Sequence, residues 1–228
     1  MEAKQFDTQS LRSLIVEPDE YDPDREYPLI ILMHGYGSNM SDLANLTPAI
    51  SRTEYLYVCP NAPIAFDLGM GQTGYAWANL YGNTYDMEAM ASEERFMDFL
   101  EEVEAAYRVR TDLLIMGGFS QGGMMTYQMG IPRPEKFAGL FALSSTVKSP
   151  DLIIPRLPER RDQPIFVAHG TIDMIAEIKA GRGSIDLLHD WGFNPEYHEY
   201  EGMAHEIWQE VIDDFVDWLE RLTQGKRE

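Results

Sequence analysis

The segment Leu113–Met125, LLIMGGFSQGGMM, restricts the fold more than any other part of the chain. An apolar run, Leu113 to Met116, has the pattern of a strand buried on both faces, and Gln121 to Met129 suits a helix. Between them stands one serine flanked by glycines, and Gly118-Phe119-Ser120-Gln121-Gly122 matches G-x-S-x-G at a strand-to-helix joint. Such a joint holds the serine on a sharp, strained turn above the sheet edge, where a helix N-terminus favours negative charge. The flanking glycines leave room for the neighbouring strand and helix. The competing explanation is a glycine-rich helix entry in which Ser120 is only a cap. The strand before the motif and the helix after it favour a nucleophile.

The rest of the chain repeats the alternation. Strand-like runs are predicted at Tyr27–Met33, Tyr55–Cys59 (stopped by Pro60), Phe137–Leu143, Pro164–Ala168 and Glu196–Tyr200. Helix-like segments are predicted from Ser41 as a cap to Leu46, from Ser92 to about Tyr107, from Ile175 to Trp191 and from Glu206 to Leu222. The second of these turns Phe96, Phe99, Leu100 and Val103 to one face, and Gly181 and Gly183 weaken the third. The last turns Ile207, Val211, Ile212, Phe215, Trp218 and Leu219 inward. Alternating strands and helices predict an α/β fold, a mostly parallel central sheet with helices on both faces. No repeat, low-complexity tract or linker divides residues 1–228, so a single domain is expected. The stretch from Asn61 to Ala91 lacks a clear element and is rich in Gly, Met, Tyr and Trp. A loop that long is functional, as a cover over a substrate site would be, or hides an element.

Composition narrows the function. The 228 residues carry 38 acidic and 18 basic side chains, a formal charge of −20. A polyanionic surface repels nucleic acid and anionic lipid, which excludes both as expected partners. No apolar run approaches the ~20 residues of a membrane helix, and the first ten residues have no signal-peptide core. A soluble, cytoplasmic protein without stable membrane insertion is expected. The acidic, lysine-poor surface is compatible with a salty habitat and also with an ordinary acidic protein. Activity kept in molar salt would speak for the first. The single cysteine, Cys59, excludes an intrachain disulfide and a multi-cysteine metal site, and its apolar strand makes it a packing residue.

A serine nucleophile needs a base, and the base needs an orienting acid; in this architecture the acid and then the histidine follow the serine in the chain. His169, His198 and His205 are the candidates near the sheet's carboxyl edge, while His189 is read as a solvent-facing helix residue. His198 alternates with Glu196 and Tyr200 as a strand-surface residue would, and His169 ends a strand in Ala168-His-Gly-Thr-Ile-Asp173. His205, in Gly202-Met-Ala-His205, lies in a loop between the last strand and the last helix and is favoured. Asp173 occupies the loop where the acid belongs, although it would also serve as a helix cap before Ile175. Asp186 and Asp190 lie on a helix. The developing oxyanion needs two donors. One is expected from the backbone N–H of Gln121, the other from Tyr36 in the loop Met33-His-Gly-Tyr-Gly-Ser-Asn39. His34 reads as a packing residue of that loop.

MHGYGSN, GGFSQGGMM, FAGLFALSS, HGTID and GMAH stand in an order and spacing that resembles the phospholipase/carboxylesterase family of α/β-hydrolases. The resemblance runs from about Leu11 to Leu222. It implies an α/β-hydrolase fold, a Ser120–Asp173–His205 triad, and an oxyanion hole from Tyr36 and Gln121. Trp77 fits a tryptophan that the family carries near its active site. Two departures are visible: Met174-Ile-Ala176 replaces the Val and Pro that often follow the acid, and Leu143-Ser-Ser145 replaces Leu-Ser-Gly. Met70, Trp77, Leu80 and Tyr81 are expected near the mouth of the site, as an acyl pocket or as packing over the sheet.

These features lead to a serine carboxylesterase cleaving a small-molecule ester of short to medium acyl chain, with no metal and no organic cofactor. Acyl-protein thioesterase or lysophospholipase activity shares the mechanism. A peptidase is disfavoured because there is no room for a specificity domain. From another class, a non-catalytic binding protein on a hydrolase scaffold has no need of Ser120, Asp173 and His205 together. A homodimer is compatible with the sequence, which leaves the oligomeric state open.

Overall fold

The computed structural model describes residues 1–224. It divides into two compact units, one from Met1 to Leu114 and one from Ile115 onward. The first holds β1 (Glu2–Asp7), β2 (Arg12–Glu17), β3 (Tyr27–Met33), α1 (Ser41–Ala44), α2 (Thr47–Ile50), β4 (Leu56–Pro60), β5 (Ile64–Gly69), β6 (Gln72–Ala76), α3 (Tyr85–Ala106) and the start of β7 (Val109–Phe119). Its strands lie in the order β1-β2-β4-β3, the first two pairings antiparallel and β4 with β3 parallel. The apolar run of β3 is buried almost throughout, as its lack of alternation predicts. Cys59 on β4 is buried, and burial raises its thiol pKa, the state of a packing residue.

Several edges differ from expectation. Ser41 is the first residue of the short α1 and makes no cap bond; the cap position is Met40. Pro60 is the last residue of β4 rather than a stop before it. Ser92 does not open its helix. α3 begins at Tyr85, and the buried Ser92 hydroxyl donates to the carbonyl of Trp77. The stretch from Asn61 to Ala91 therefore holds two elements: an antiparallel β5–β6 hairpin and the first turns of α3.

The second unit continues β7 and adds α4 (Gln121–Gly130), β8 (Gly139–Leu143), α5 (Pro150–Ile153), β9 (Ile165–Gly170), α6 (Ile178–Asp190), β10 (Glu196–Tyr200) and α7 (Gln209–Gln224). Here β7, β8, β9 and β10 pair in sequence order, all parallel. Both faces are covered. Phe141 and Phe166 meet Phe215 of α7, with ring centroids 4.5 and 5.6 Å apart. Leu140, one residue from Phe141, turns to the opposite face, where a Cβ on Gly130 of α4 would stand 2.4 Å from its Cδ2. On α7 the expected face, Val211, Ile212, Phe215, Trp218 and Leu219, is buried, each large side chain contributing about 1.5–3 kcal/mol. Ile207 precedes the helix and is only half-buried. The carboxyl ends of the four parallel strands lie along one edge, where open α/β sheets bind ligands.

Candidate active site

Ser120 sits between β7 and α4 at φ 53°, ψ −115°, a left-handed backbone that a non-glycine residue adopts only when its surroundings compel it. Its N–H donates to Leu143 O at 2.9 Å, which ties the turn to the end of β8. A Cβ on Gly117 would stand 2.2 Å from Phe141 O, and one on Gly123 would stand 2.5 Å from the Cβ of Ser145. Glycine is required on both sides of the serine, before it by the backbone of β8 and after it by the side chain of Ser145.

Asp173 and His205 come from two different loops of the same edge and meet. Asp173 Oδ2 lies 2.8 Å from His205 Nδ1, while Oδ1 accepts the N–H groups of Ile175 and Ala176, each at 2.8 Å. Asp173 thus has two partners, one oxygen accepting from the turn ahead of α6 and the other meeting the imidazole, while the N-cap position of α6 itself is Glu177. With Nδ1–H donated to the carboxylate, the tautomer leaves Nε2 as an acceptor. The His205 ring packs 4.7 Å from the ring of Phe119, the residue before Ser120. Asp173 is buried and His205 keeps some solvent exposure.

The two loops are stitched together. Ile172 N–H donates to Met203 O at 3.1 Å, Thr171 N–H to Tyr200 O at 3.1 Å, and Gly202 N–H to Thr171 Oγ1 at 2.9 Å. A Cβ on Gly170 would stand 2.1 Å from Met203 O, so the loop that carries His205 lies directly on the end of β9. Nothing in the sequence pattern singled out Gly170. Only its place in HGTID, between strand and acid, hinted at it.

The other histidines are engaged differently, although His169 Nε2 also lies 3.6 Å from Asp173 Oδ2. His169 is fully buried, its Nε2 bonded to Ala176 O at 2.6 Å, and a Cβ on Gly181 would stand 2.6 Å from its Nδ1. That contact is the reason for a glycine inside α6. His198 lies between Phe166 and Tyr200 and bonds Glu196 at 3.1 Å. His189 is exposed near the end of α6.

In the first unit, His34 is buried, its Nδ1 donating to Gly35 O at 2.7 Å and its Nε2 accepting Ala62 N–H at 3.1 Å. Tyr36 follows it, half-buried, in contact with Phe66 and edge-on to Tyr81 at 6.2 Å. Tyr81 is largely exposed and Leu80 half-exposed, so both offer surface to a ligand. Met70 is fully exposed at the hairpin tip, φ 54°. Trp77 takes the packing alternative and not the pocket one. It has no exposed surface, its Nε1 donates to His34 O at 3.1 Å, and its ring meets Phe96. A ring so enclosed supports the His34 loop and offers a substrate no surface. Among the described residues, no group of three or more His, Cys, Asp or Glu could hold a metal ion. No helix among them is long and apolar enough to cross a membrane.

The parallel sheet, its two helical layers and the strained serine at a strand-to-helix joint define an α/β-hydrolase. Residues 15–223 match the model of the Phospholipase/Carboxylesterase family, and the chain belongs to that family. It is thereby a member of a hydrolase family of the esterase kind. Acyl-protein thioesterase 1 of Neurospora crassa is 30% identical over 220 residues, covering 87% of this chain and 88% of that relative. The Yarrowia lipolytica protein of the same name is 26% identical over 207 residues, covering 84% and 90%. Among solved structures, esterase PE8 superposes with a TM-score of 0.81 at 24% identity, covering 93% of this chain and 99% of that one. Zea mays acyl-protein thioesterase 2 gives 0.75 at 21% identity, covering 92% and 98%. These two likenesses carry the fold alone.

Proposed function

We propose that the chain is a serine carboxylesterase acting on short- to medium-chain esters through an acyl-enzyme. Ser120 Oγ attacks the ester carbonyl while His205 Nε2 takes its proton. Asp173 holds the imidazole in the required tautomer and stabilises the imidazolium. The backbone N–H groups of Gln121 and Tyr36 receive the oxyanion. The tetrahedral intermediate collapses, the alcohol leaves with the proton from His205, and water attacks the acyl-serine through the same base. The acid is released and Ser120 is restored. Leu80 and Tyr81, with Met70 at the hairpin tip, are the side chains assigned to the acyl group. The observation that carries this reading is the 2.8 Å Asp173–His205 contact on the loops beside the strained Ser120.

A second reading, thioester hydrolysis on acylated proteins, is favoured by the names of the curated relatives. The chemistry is common to both, so substrate comparison separates them. Wild type and Ser120→Ala are assayed on p-nitrophenyl esters from two to sixteen carbons and on an S-acylated cysteine peptide. Loss of turnover by about 10⁴-fold or more in Ser120→Ala, with folding intact, supports the nucleophile. Equal rates in the two proteins would remove it. The larger kcat/KM identifies which leaving group the site serves.

A further inference from the structure

Ser145 follows β8 at the position where the family pattern has glycine, and its side chain reaches the catalytic turn. It is fully buried, and its Oγ donates to the backbone carbonyl of Ser120 at 2.7 Å. That carbonyl also accepts Met124 N–H at 3.1 Å as the first acceptor of α4. Carbonyl and N–H of one peptide unit lie in one plane and point in opposite directions, so a donor that fixes the first aims the second. The peptide in question is Ser120–Gln121, whose N–H is the oxyanion donor assigned above. A hydrogen bond accepted at the carbonyl also polarises the amide and strengthens its N–H as a donor. The seat is built for this contact. Gly123 leaves the space that Ser145 Cβ fills, Ser144 takes φ 47°, and its N–H is held by Ala168 O at 2.8 Å. A glycine at 145 would leave the Ser120 carbonyl without this donor.

We infer that Ser145 is a positioning residue for the oxyanion hole, acting through the Ser120–Gln121 peptide. The inference rests on Ser120 being the nucleophile. The test measures kcat and KM on a p-nitrophenyl ester, and the inhibition constant of an alkyl trifluoromethyl ketone. The ketone adds a serine to its carbonyl, leaving an oxyanion on the same donors. Ser145→Ala removes the hydroxyl and keeps the Cβ. Its kcat is expected to fall about tenfold with KM within about twofold, and the ketone constant to rise by the same factor as kcat falls. A packing role alone would lower the melting temperature and leave the ketone constant of the folded fraction unchanged. Ser145→Cys, with a weak donor of similar volume, is expected between the two and decides the matter if Ser145→Ala does not fold. Wild-type values of kcat and ketone constant in either folded variant overturn the inference. Full activity in Ser120→Ala would instead overturn the nucleophile reading, and the inference with it.

Discussion

At the scale of single residues, function depends on which atoms have committed their hydrogen bonds. His34 shows this in the loop that carries Tyr36. Nε2 accepts Ala62 N–H and Nδ1 donates to Gly35 O, so the ring is in use as a neutral imidazole. Burial lowers its pKa below the ordinary 6.5. The unfolded chain therefore binds a proton more readily than the folded one as pH falls through 6.5, and stability is lost in that window. In urea unfolding at pH 7.5 and 5.5, wild type should lose more stability between the two than His34→Gln; equal losses would reject His34 as a contributor. That Asp173 and His205 meet was legible because the chemistry proposed for Ser120 demands an acid and a base after it in the chain, and few residues there qualify. The burial of Trp77 was not. Hydrophobicity brings a side chain out of water but does not say whether it ends in the core or at a pocket mouth. The contact of Ser145 was hidden too, although its departure from glycine marked the place.

At the scale of elements, the parallel strands β3, β4, β8 and β9 were readable because both faces of each are covered, which leaves uninterrupted apolar runs, whereas the half-exposed β10 was read from its alternation. β1 and the β5–β6 hairpin are mostly exposed and carry no such signal. The start of α3 was missed because Ser92, a residue type that caps helices, here bonds a neighbouring loop from inside one. The elements' junctions matter most for the site, and β9 meets the His205 loop at Gly170. Its Cβ in Gly170→Ala would stand 2.1 Å from Met203 O and 2.6 Å from Ala204 O, both backbone atoms. The loop must move, and His205 moves with it. A displacement of about 1 Å costs on the order of 100-fold in rate, so kcat should fall by about that factor while the Tm falls by a few degrees. A wild-type kcat in Gly170→Ala would show that the close approach does not position the base. Phe215→Ala on α7, in the aromatic cluster with Phe141 and Phe166, should show the reverse balance. It leaves a cavity beside Phe141 and Phe166 and costs about 3–5 kcal/mol of unfolding free energy, with kcat of the folded protein near wild type. Urea denaturation and initial rates measure the two effects separately.

At the scale of the whole molecule, the formal charge of −20 sets how the fold responds to its solvent. Two effects of salt oppose each other. Exposed ion pairs such as Arg52–Asp19 at 2.8 Å, Arg182–Glu199 at 2.6 Å and Arg221–Glu196 at 2.7 Å are weakened by screening. Exposed pairs of this kind contribute little, so little is lost. Repulsion among the excess carboxylates is relieved at the same time. α3 concentrates it: Asp86, Glu88, Glu93, Glu94, Asp98, Glu101, Glu102 and Glu104 share one helix with a single basic residue, Arg95. Glu94 with Asp98 and Asp98 with Glu102 are like charges one turn apart, each pair destabilising by a few tenths of a kcal/mol. Repulsion is also summed over more pairs than attraction when acidic residues outnumber basic ones 38 to 18. The Debye length shrinks from about 30 Å at 0.01 M to about 3 Å at 1 M, which removes the longer-range terms first, and those are mostly repulsive. Raising NaCl from about 0.01 M to about 1 M should therefore raise the Tm by about 3 °C or more, the equivalent of roughly 1 kcal/mol for a chain this long. Esterase activity should persist at the high end, because Asp173 is shielded from solvent and its contact with His205 is screened far less than a surface pair. A Tm that falls across the same range would mean that the exposed pairs outweigh the carboxylate repulsion.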